Sequence, residues 1–105
     1  MIKQIQRREK RPRFYVFKSN KHIYAQIIDD FKHKILCSSS SISIDLKSRI
    51  QSNTNCEIAY LVGENIAQKA INIGIKQVVF DRGNRKYHGQ IKSLAQGARQ
   101  VGIRF

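Results

Sequence analysis

Ten consecutive residues, Phe80-Asp81-Arg82-Gly83-Asn84-Arg85-Lys86-Tyr87-His88-Gly89, gather most of the chemistry-bearing side chain types in this chain. Arg82, Arg85 and Lys86 supply cations, Asn84 an amide, Tyr87 a phenol and His88 an imidazole. Gly83 permits a turn with positive φ, and Gly89 lets a partner backbone come close. Guanidinium and ammonium groups suit phosphates, rings suit stacking, and amide or phenol donors suit base edges and 2′-hydroxyls. Together they make an RNA-reading loop. The plainer alternatives are solvated loop charge for Arg85 and Lys86, and packing against a sheet end for Tyr87 and His88.

A second group stands at residues 18–22, where Lys18, Ser19, Asn20, Lys21 and His22 fall on a predicted tight turn. Such a tip can reach phosphates in a helical groove, or can simply be a polar turn. Residues 1–12 read as a flexible basic arm that carries Arg7, Arg8, Lys10 and Arg11 and ends at Pro12. Arg13 opens the folded part, and residues 13–105 are expected to form one α/β RNA-binding domain. Lys92, early in the last predicted helix, completes the candidate set.

Charge supports these assignments. Twenty Lys and Arg stand against seven Asp and Glu, a net +13 on 105 residues. Eight of the cations fall in residues 1–21, six follow Asp81, and no acid follows Asp81. Such a chain repels itself unless a polyanion neutralises it, and nucleic acid is the commonest one.

Other classes fit less well. No apolar stretch approaches the ~20 residues that span a bilayer. The basic N-terminus is followed by no apolar core of a secretory signal. Docking on anionic lipid is opposed by Pro12 and by the lack of a wide apolar face. A hydrolase triad of Asp81, His88 and Ser93 would place Ser93 inside a helix, without a nucleophile elbow. A metal-dependent ribonuclease needs clustered carboxylates, and Asp29, Asp30 and Asp81 are the plausible set. Asp29 and Asp30 read as turn residues, and Asp81 as the partner of a nearby Arg or the cap of its loop. No catalytic residue or metal site is therefore expected. Cys37 and Cys56 suit neither a disulfide framework nor a zinc site and read as small apolar fillers in a reducing compartment.

The elements that position these groups follow from periodicity. Phe14-Tyr15-Val16-Phe17 is an aromatic and β-branched run, the pattern of a strand buried on both faces. In residues 22–28, Ile23, Ala25 and Ile27 alternate with Tyr24, Gln26 and Ile28, the period of a second strand. A turn at 29–32 leads to a third strand over 34–39, making an antiparallel meander. A short helix or strand is expected near 42–50. Thr54-x-x-Glu57 can form a capping box. Ile58, Leu61, Val62, Ile66, Ala70 and Ile73 then follow helical spacing up to a left-handed cap at Gly74. A fourth strand is predicted over 77–80. A second helix is predicted over 89–102, with Ile91, Leu94, Ala95, Ala98 and Val101 on its buried stripe. Gly97 is a poor interior choice, costing ~1 kcal/mol relative to Ala. Strand–helix–strand order implies a parallel crossover onto the meander. The predicted fold is thus α/β, a mixed four-stranded sheet covered by two main helices.

Two blocks of residues also resemble a known family. The run from Arg11-Pro12-Arg13-Phe14-Tyr15-Val16-Phe17 through His22-Ile23-Tyr24-Ala25-Gln26 to Asp29-Asp30 looks like the opening strands of bacterial-type large-subunit ribosomal protein eighteen. The likeness returns at Val62-Gly63, continues through Ala67, Ala70 and Gly74-Ile75, and is densest from Val79 to Phe105. There Phe80-Asp81-Arg82-Gly83, Tyr87-His88-Gly89 and the ending Ala98-Arg99-x-x-Gly102-x-x-Phe105 follow the family pattern. The resemblance implies a non-catalytic, cofactor-free protein that binds 5S rRNA. It also implies a role in seating that RNA on large-subunit rRNA in the central protuberance, beside large-subunit protein five. By the same likeness Arg82, Gly83, Tyr87, His88 and Gly89 fall on the RNA-proximal loop, and 18–22 on the first hairpin. The chain departs from the pattern at its shorter arm, at Gln90 where a cation is common, and at the turn 30–33, which lacks a glycine. The opening block resembles the cyanobacterial and plastid branch, which agrees with a composition hinting at an AT-rich genome. A plastid ribosome is the expected location, with bacterial cytoplasm as the alternative. A metal-dependent ribonuclease or a general RNA chaperone would be the competing functions.

Overall fold

The computed structural model describes residues 11–19, 22–42, 55–83 and 89–105. The period-two segments form strands β1 (Arg13–Lys18), β2 (Ile23–Asp29) and β3 (Lys34–Ser40). They pair antiparallel in sequence order, with a register shift between Ile27 and Ile28. Helix α1 (Asn55–Asn72) then crosses over to β4 (Val79–Asp81), which pairs parallel to β1, giving the order β3-β2-β1-β4. Helix α2 (Gln90–Val101) follows. The mixed sheet with two main helices is therefore present. β4 starts two residues later than predicted, because Gln77 makes only an isolated parallel bridge to Arg104.

One strand expectation is corrected. Phe14 and Val16 are buried, whereas Tyr15 and Phe17 remain partly exposed, so β1 is buried on one face only. The inward face joins Ile23, Ala25 and Ile27 of β2 to Ala59, Val62, Ile66 and Ala70 of α1 and to Leu94 and Ala98 of α2. Burying each large aliphatic or Phe side chain there contributes about 1.5–3 kcal/mol. On the outward face the rings of Tyr15, Phe17 and Tyr24 stack in a row, the last pair 4.9 Å apart and 10° from parallel. An aromatic run can thus satisfy itself by ring-on-ring packing without a second covering layer.

The helix ends behave as their residues dictate. Gly74 adopts φ 95° and closes a Schellman motif: its N–H donates to the Ile71 carbonyl at 3.0 Å and that of Ile75 to Ala70 at 2.9 Å. Ile73, expected on the buried stripe of α1, lies beyond the last helical turn and is 56% exposed. Gly97 has a packing reason. A Cβ there would collide with the Tyr60 carbonyl of α1, and one at Gly63 would collide with the Leu94 carbonyl of α2. The two helices cross backbone to backbone at this reciprocal glycine contact.

The C-terminus is held by aromatic packing. Phe105 stacks on Phe80 at 5.0 Å and meets the edge of Phe14, while the Arg99 guanidinium lies 4.3 Å from its ring centre. Cys37 packs partly buried against the core, as a filler should. Cys56 does not; it sits exposed in the first turns of α1. Thr54 of the expected capping box and most of the expected element at 42–50 lie outside the described residues.

Candidate nucleic-acid interface

The sheet topology fixes where the candidate groups gather. β1 and β4 run parallel with Arg13 opposite Val79, Phe14 opposite Phe80 and Tyr15 opposite Asp81. Parallel neighbours run in the same direction, so the chain leaves the sheet the same way after Asp81 and after Lys18, which lies three residues further along β1. The described residues at the two exits, Lys18 and Ser19 after β1 and Arg82 and Gly83 after β4, therefore point toward the same end of the domain. Among the candidates there, Lys18, Ser19, Arg82, Gly83, Gly89 and Lys92 are exposed and His22 is half-buried. Arg7, Arg8, Lys10, Asn20, Lys21, Asn84, Arg85, Lys86, Tyr87 and His88 lie outside the described residues.

The hairpin is closed by the Ser19 N–H donating to the His22 carbonyl at 2.9 Å. His22 is anchored further: its Nδ1 lies 2.9 Å from Oγ of Ser41, which also accepts the Ile23 N–H at 3.1 Å. Because that backbone donor occupies one lone pair, the Ser41 proton is free to point at the imidazole. Ser41 follows β3 directly, so the hairpin base is tied to the far strand of the meander.

The loop is anchored at its first residue. Asp81 uses both oxygens: Oδ1 accepts the Gly83 N–H at 2.8 Å, and Oδ2 accepts from Nη1 of Arg13 at 3.1 Å. The first bond forms an Asx turn that sets the chain off the sheet, and Gly83 takes the φ of 63° that an L side chain resists. Arg13 also grips Asp30, with Nε at 3.1 Å from Oδ2 and Nη2 at 3.0 Å from Oδ1. Bonding to Asp30, more than to Asp81, raises the Arg13 pKa further above its ordinary value. Asp29 caps the neighbouring turn by accepting the N–H groups of Phe31 and Lys32. The three carboxylates considered for a metal site are thus each engaged in turn or ion-pair bonds.

Helix α2 completes this end. Its N-cap is Gly89, which brings no side-chain cap, and its first turn holds no acid. Uncapped N–H groups and an uncompensated helix dipole favour a bound anion at this helix start. The arrangement suits binding a polyanion through backbone donors and cations. Arg11 precedes β1, at the end of the sheet opposite the hairpin, whereas Arg13 reaches from the start of β1 to Asp81 at the start of the loop.

Sequence reasoning missed the partners of this scaffold. Ser41 was not singled out, and the cation expected near Asp81 proves to be Arg13, 68 residues away. No local spacing signals either pairing. The only available hint was chemical: an Arg at a strand start and an acid at another strand end complement each other if those strands are neighbours.

Comparison with known proteins gives a consistent answer. The family described as "Ribosomal L18 of archaea, bacteria, mitoch. and chloroplast" matches residues 1–105. The chain is 50% identical over 105 residues to "Large ribosomal subunit protein uL18c" of Gracilaria tenuistipitata var. liui, covering 100% of both chains. It is 48% identical over 101 residues to "Large ribosomal subunit protein uL18" of Nostoc sp., covering 96% of this chain and 84% of that one. The protein of the same description from Pseudothermotoga lettingae is 55% identical over 95 residues, 90% of this chain and 78% of that one.

Proposed function

The chain belongs to the ribosomal L18 family, and from that premise we propose that it binds 5S rRNA and helps attach it to large-subunit rRNA in the central protuberance. It is a ribosomal protein of the large subunit and not an enzyme. Its place is the ribosome of a plastid or of a bacterial cytoplasm; relatives from Gracilaria and Porphyra match it over nearly its whole length. Large-subunit protein five is the proposed protein neighbour.

One observation supports the reading: the parallel pairing of β1 with β4 takes the chain in the same direction into residues 18–22 and into residues 81–89. A rigid sheet end presenting two loops can fix the register of a folded RNA, while the surplus of +13 supplies most of the affinity. Stacking by Tyr87 or His88 on an unstacked base would add ~1–3 kcal/mol.

The test is binding of purified protein to 5S rRNA and to unrelated RNA of equal length at moderate salt. Arg82→Ala combined with Tyr87→Ala is expected to weaken 5S rRNA binding with an unchanged circular dichroism spectrum. Unchanged affinity with an intact fold would refute the placement of the site. Equal affinity of the unaltered chain for both RNAs would instead favour a general RNA chaperone.

A further inference from the structure

We propose that an open cleft at the other end of the sheet, lined by Arg11, Lys76, Gln77 and Arg104, holds the phosphate backbone of a second RNA segment. The inference rests on the rRNA-binding reading above and assigns that reading a second surface. The cleft has a volume of about 650 Å³ and is floored by Gly74 and Gly102 at the ends of the two helices. Its cations come from three distant places in the chain, and among the described residues no acid lines it.

Backbone bonds hold these residues in place. The Arg104 N–H donates to the Lys76 carbonyl at 2.9 Å, and the Val78 N–H donates to the Arg104 carbonyl at 3.0 Å. Val79 N–H donates to the Pro12 carbonyl at 2.9 Å, which fixes the residue after Arg11 against the same strand. The ladder thus brings cations together with their side chains left outside it. Lys76 and Arg104 are exposed, and among the described residues neither has an acidic partner. Like charges gathered on a rigid frame repel one another, and a bound anion relieves that cost.

Backbone donors already serve the last carbonyls of both helices. The carbonyls of Ala70 and Ile71 are taken by Ile75 and Gly74, and that of Arg99 by Gly102. Lys76 and Arg104 keep their charge at the surface. Glycines at both helix ends leave the floor without side chains; a Cβ at Gly74 would meet nothing within 4 Å. An opening of this size, cationic and unroofed, suits a strand that enters and leaves better than an enclosed small anion.

Position separates this site from the first. The cleft lies where β1 and β4 begin, whereas the hairpin and loop lie where they end. Along β1 six residues put about 20 Å between the cleft end and the hairpin, and along β4 three residues put about 10 Å between the cleft end and the start of the loop. The covalent chain also ties the basic residues 1–10 to the cleft end, since Arg11 lines it. A domain with cationic groups at both ends can join two RNA segments that do not touch each other.

The experiment titrates the purified full chain against 5S rRNA and against a large-subunit rRNA transcript across a salt series. Lys76→Gln with Arg104→Gln removes two charges at exposed side chains while leaving their backbone bonds, and circular dichroism checks the fold. The double variant is expected to bind the transcript about tenfold more weakly, with a salt slope reduced by roughly 1.5–2. Its affinity for 5S rRNA should stay within about twofold, whereas Arg82→Gln at the other end should show the reverse preference. Unchanged binding to both RNAs, or an equal loss for both, overturns the proposal. Should the unaltered chain fail to prefer 5S rRNA over unrelated RNA, the proposed function falls instead, and the transcript data still decide the cleft.

Discussion

Arg13 and Asp81, 68 residues apart, are joined by a hydrogen-bonded ion pair of 3.1 Å across the parallel strands β1 and β4. The same guanidinium holds Asp30 at the start of the β2–β3 turn. One side chain thereby links the start of the loop 81–89 to the meander. The fork geometry of Arg makes this possible; a Lys ammonium is a point charge and cannot grip two carboxylates in the same way.

Replacing Arg13 by Lys is accordingly expected to lower stability by about 1 kcal/mol, since the pairs are partly exposed. Urea denaturation would read that loss. Amide exchange should also quicken at Gly83, whose N–H is held by the Asp81 carboxylate. Unaltered exchange there would mean that Asp81 keeps its position without Arg13.

Gly97 offers a test in which two effects oppose each other. Helix propensity alone favours Gly97→Ala by ~1 kcal/mol. Overpacking against the Tyr60 carbonyl opposes it and typically costs ~1–3 kcal/mol. The expected outcome is a net loss of stability, measured by thermal denaturation, and a similar loss for Gly63→Ala. A gain in either variant would show that the helices do not cross as closely as described.

His33 takes φ 53° in the turn that lacks the family's glycine. A non-glycine residue pays roughly 1–2 kcal/mol for the left-handed region, partly offset by the greater freedom of Gly in the unfolded chain. His33→Gly should therefore stabilise the protein by about 0.5–1 kcal/mol in chemical denaturation. A destabilised variant would mean that the imidazole makes a contact that outweighs its backbone strain.

The two thiols should differ in reactivity. Burial pushes the Cys37 thiol above its ordinary pKa, only partly countered by the charge of Lys69. Cys56 is exposed. Alkylation followed by mass spectrometry should label Cys56 first, with Cys37 gaining reactivity only as pH rises or as the protein unfolds, because the thiolate is the nucleophile. Equal rates at neutral pH would contradict the packing of β3.

Much of this was legible in the residues. Alternation in 22–28 located β2 to within a residue, and the helical stripe through Val62, Ile66 and Ala70 led to the Gly74 cap that the backbone adopts. Both signals are local, since a strand or a helix repeats every two or 3.6 residues and is stopped by glycine. Gly97 was read by the same local rule as a defect. Its reason lies on another helix, which no propensity scale contains. Tyr15 and Phe17 misled for a related cause: composition reports that a strand is apolar, not whether a second layer covers it.

The amino-acid sequence by itself determined the charge surplus, the strand and helix periods, and the family to which the chain belongs. These are sums or short-range patterns, and no folding is needed to count them. Tertiary structure alone decided that Arg13 meets Asp81, that Arg11, Lys76 and Arg104 share a cleft, and that the chain leaves β1 and β4 in the same direction. Each depends on the register of β4 beside β1. That register is set by burial of Phe14, Phe80 and Phe105 against one another, a packing choice made across the whole chain.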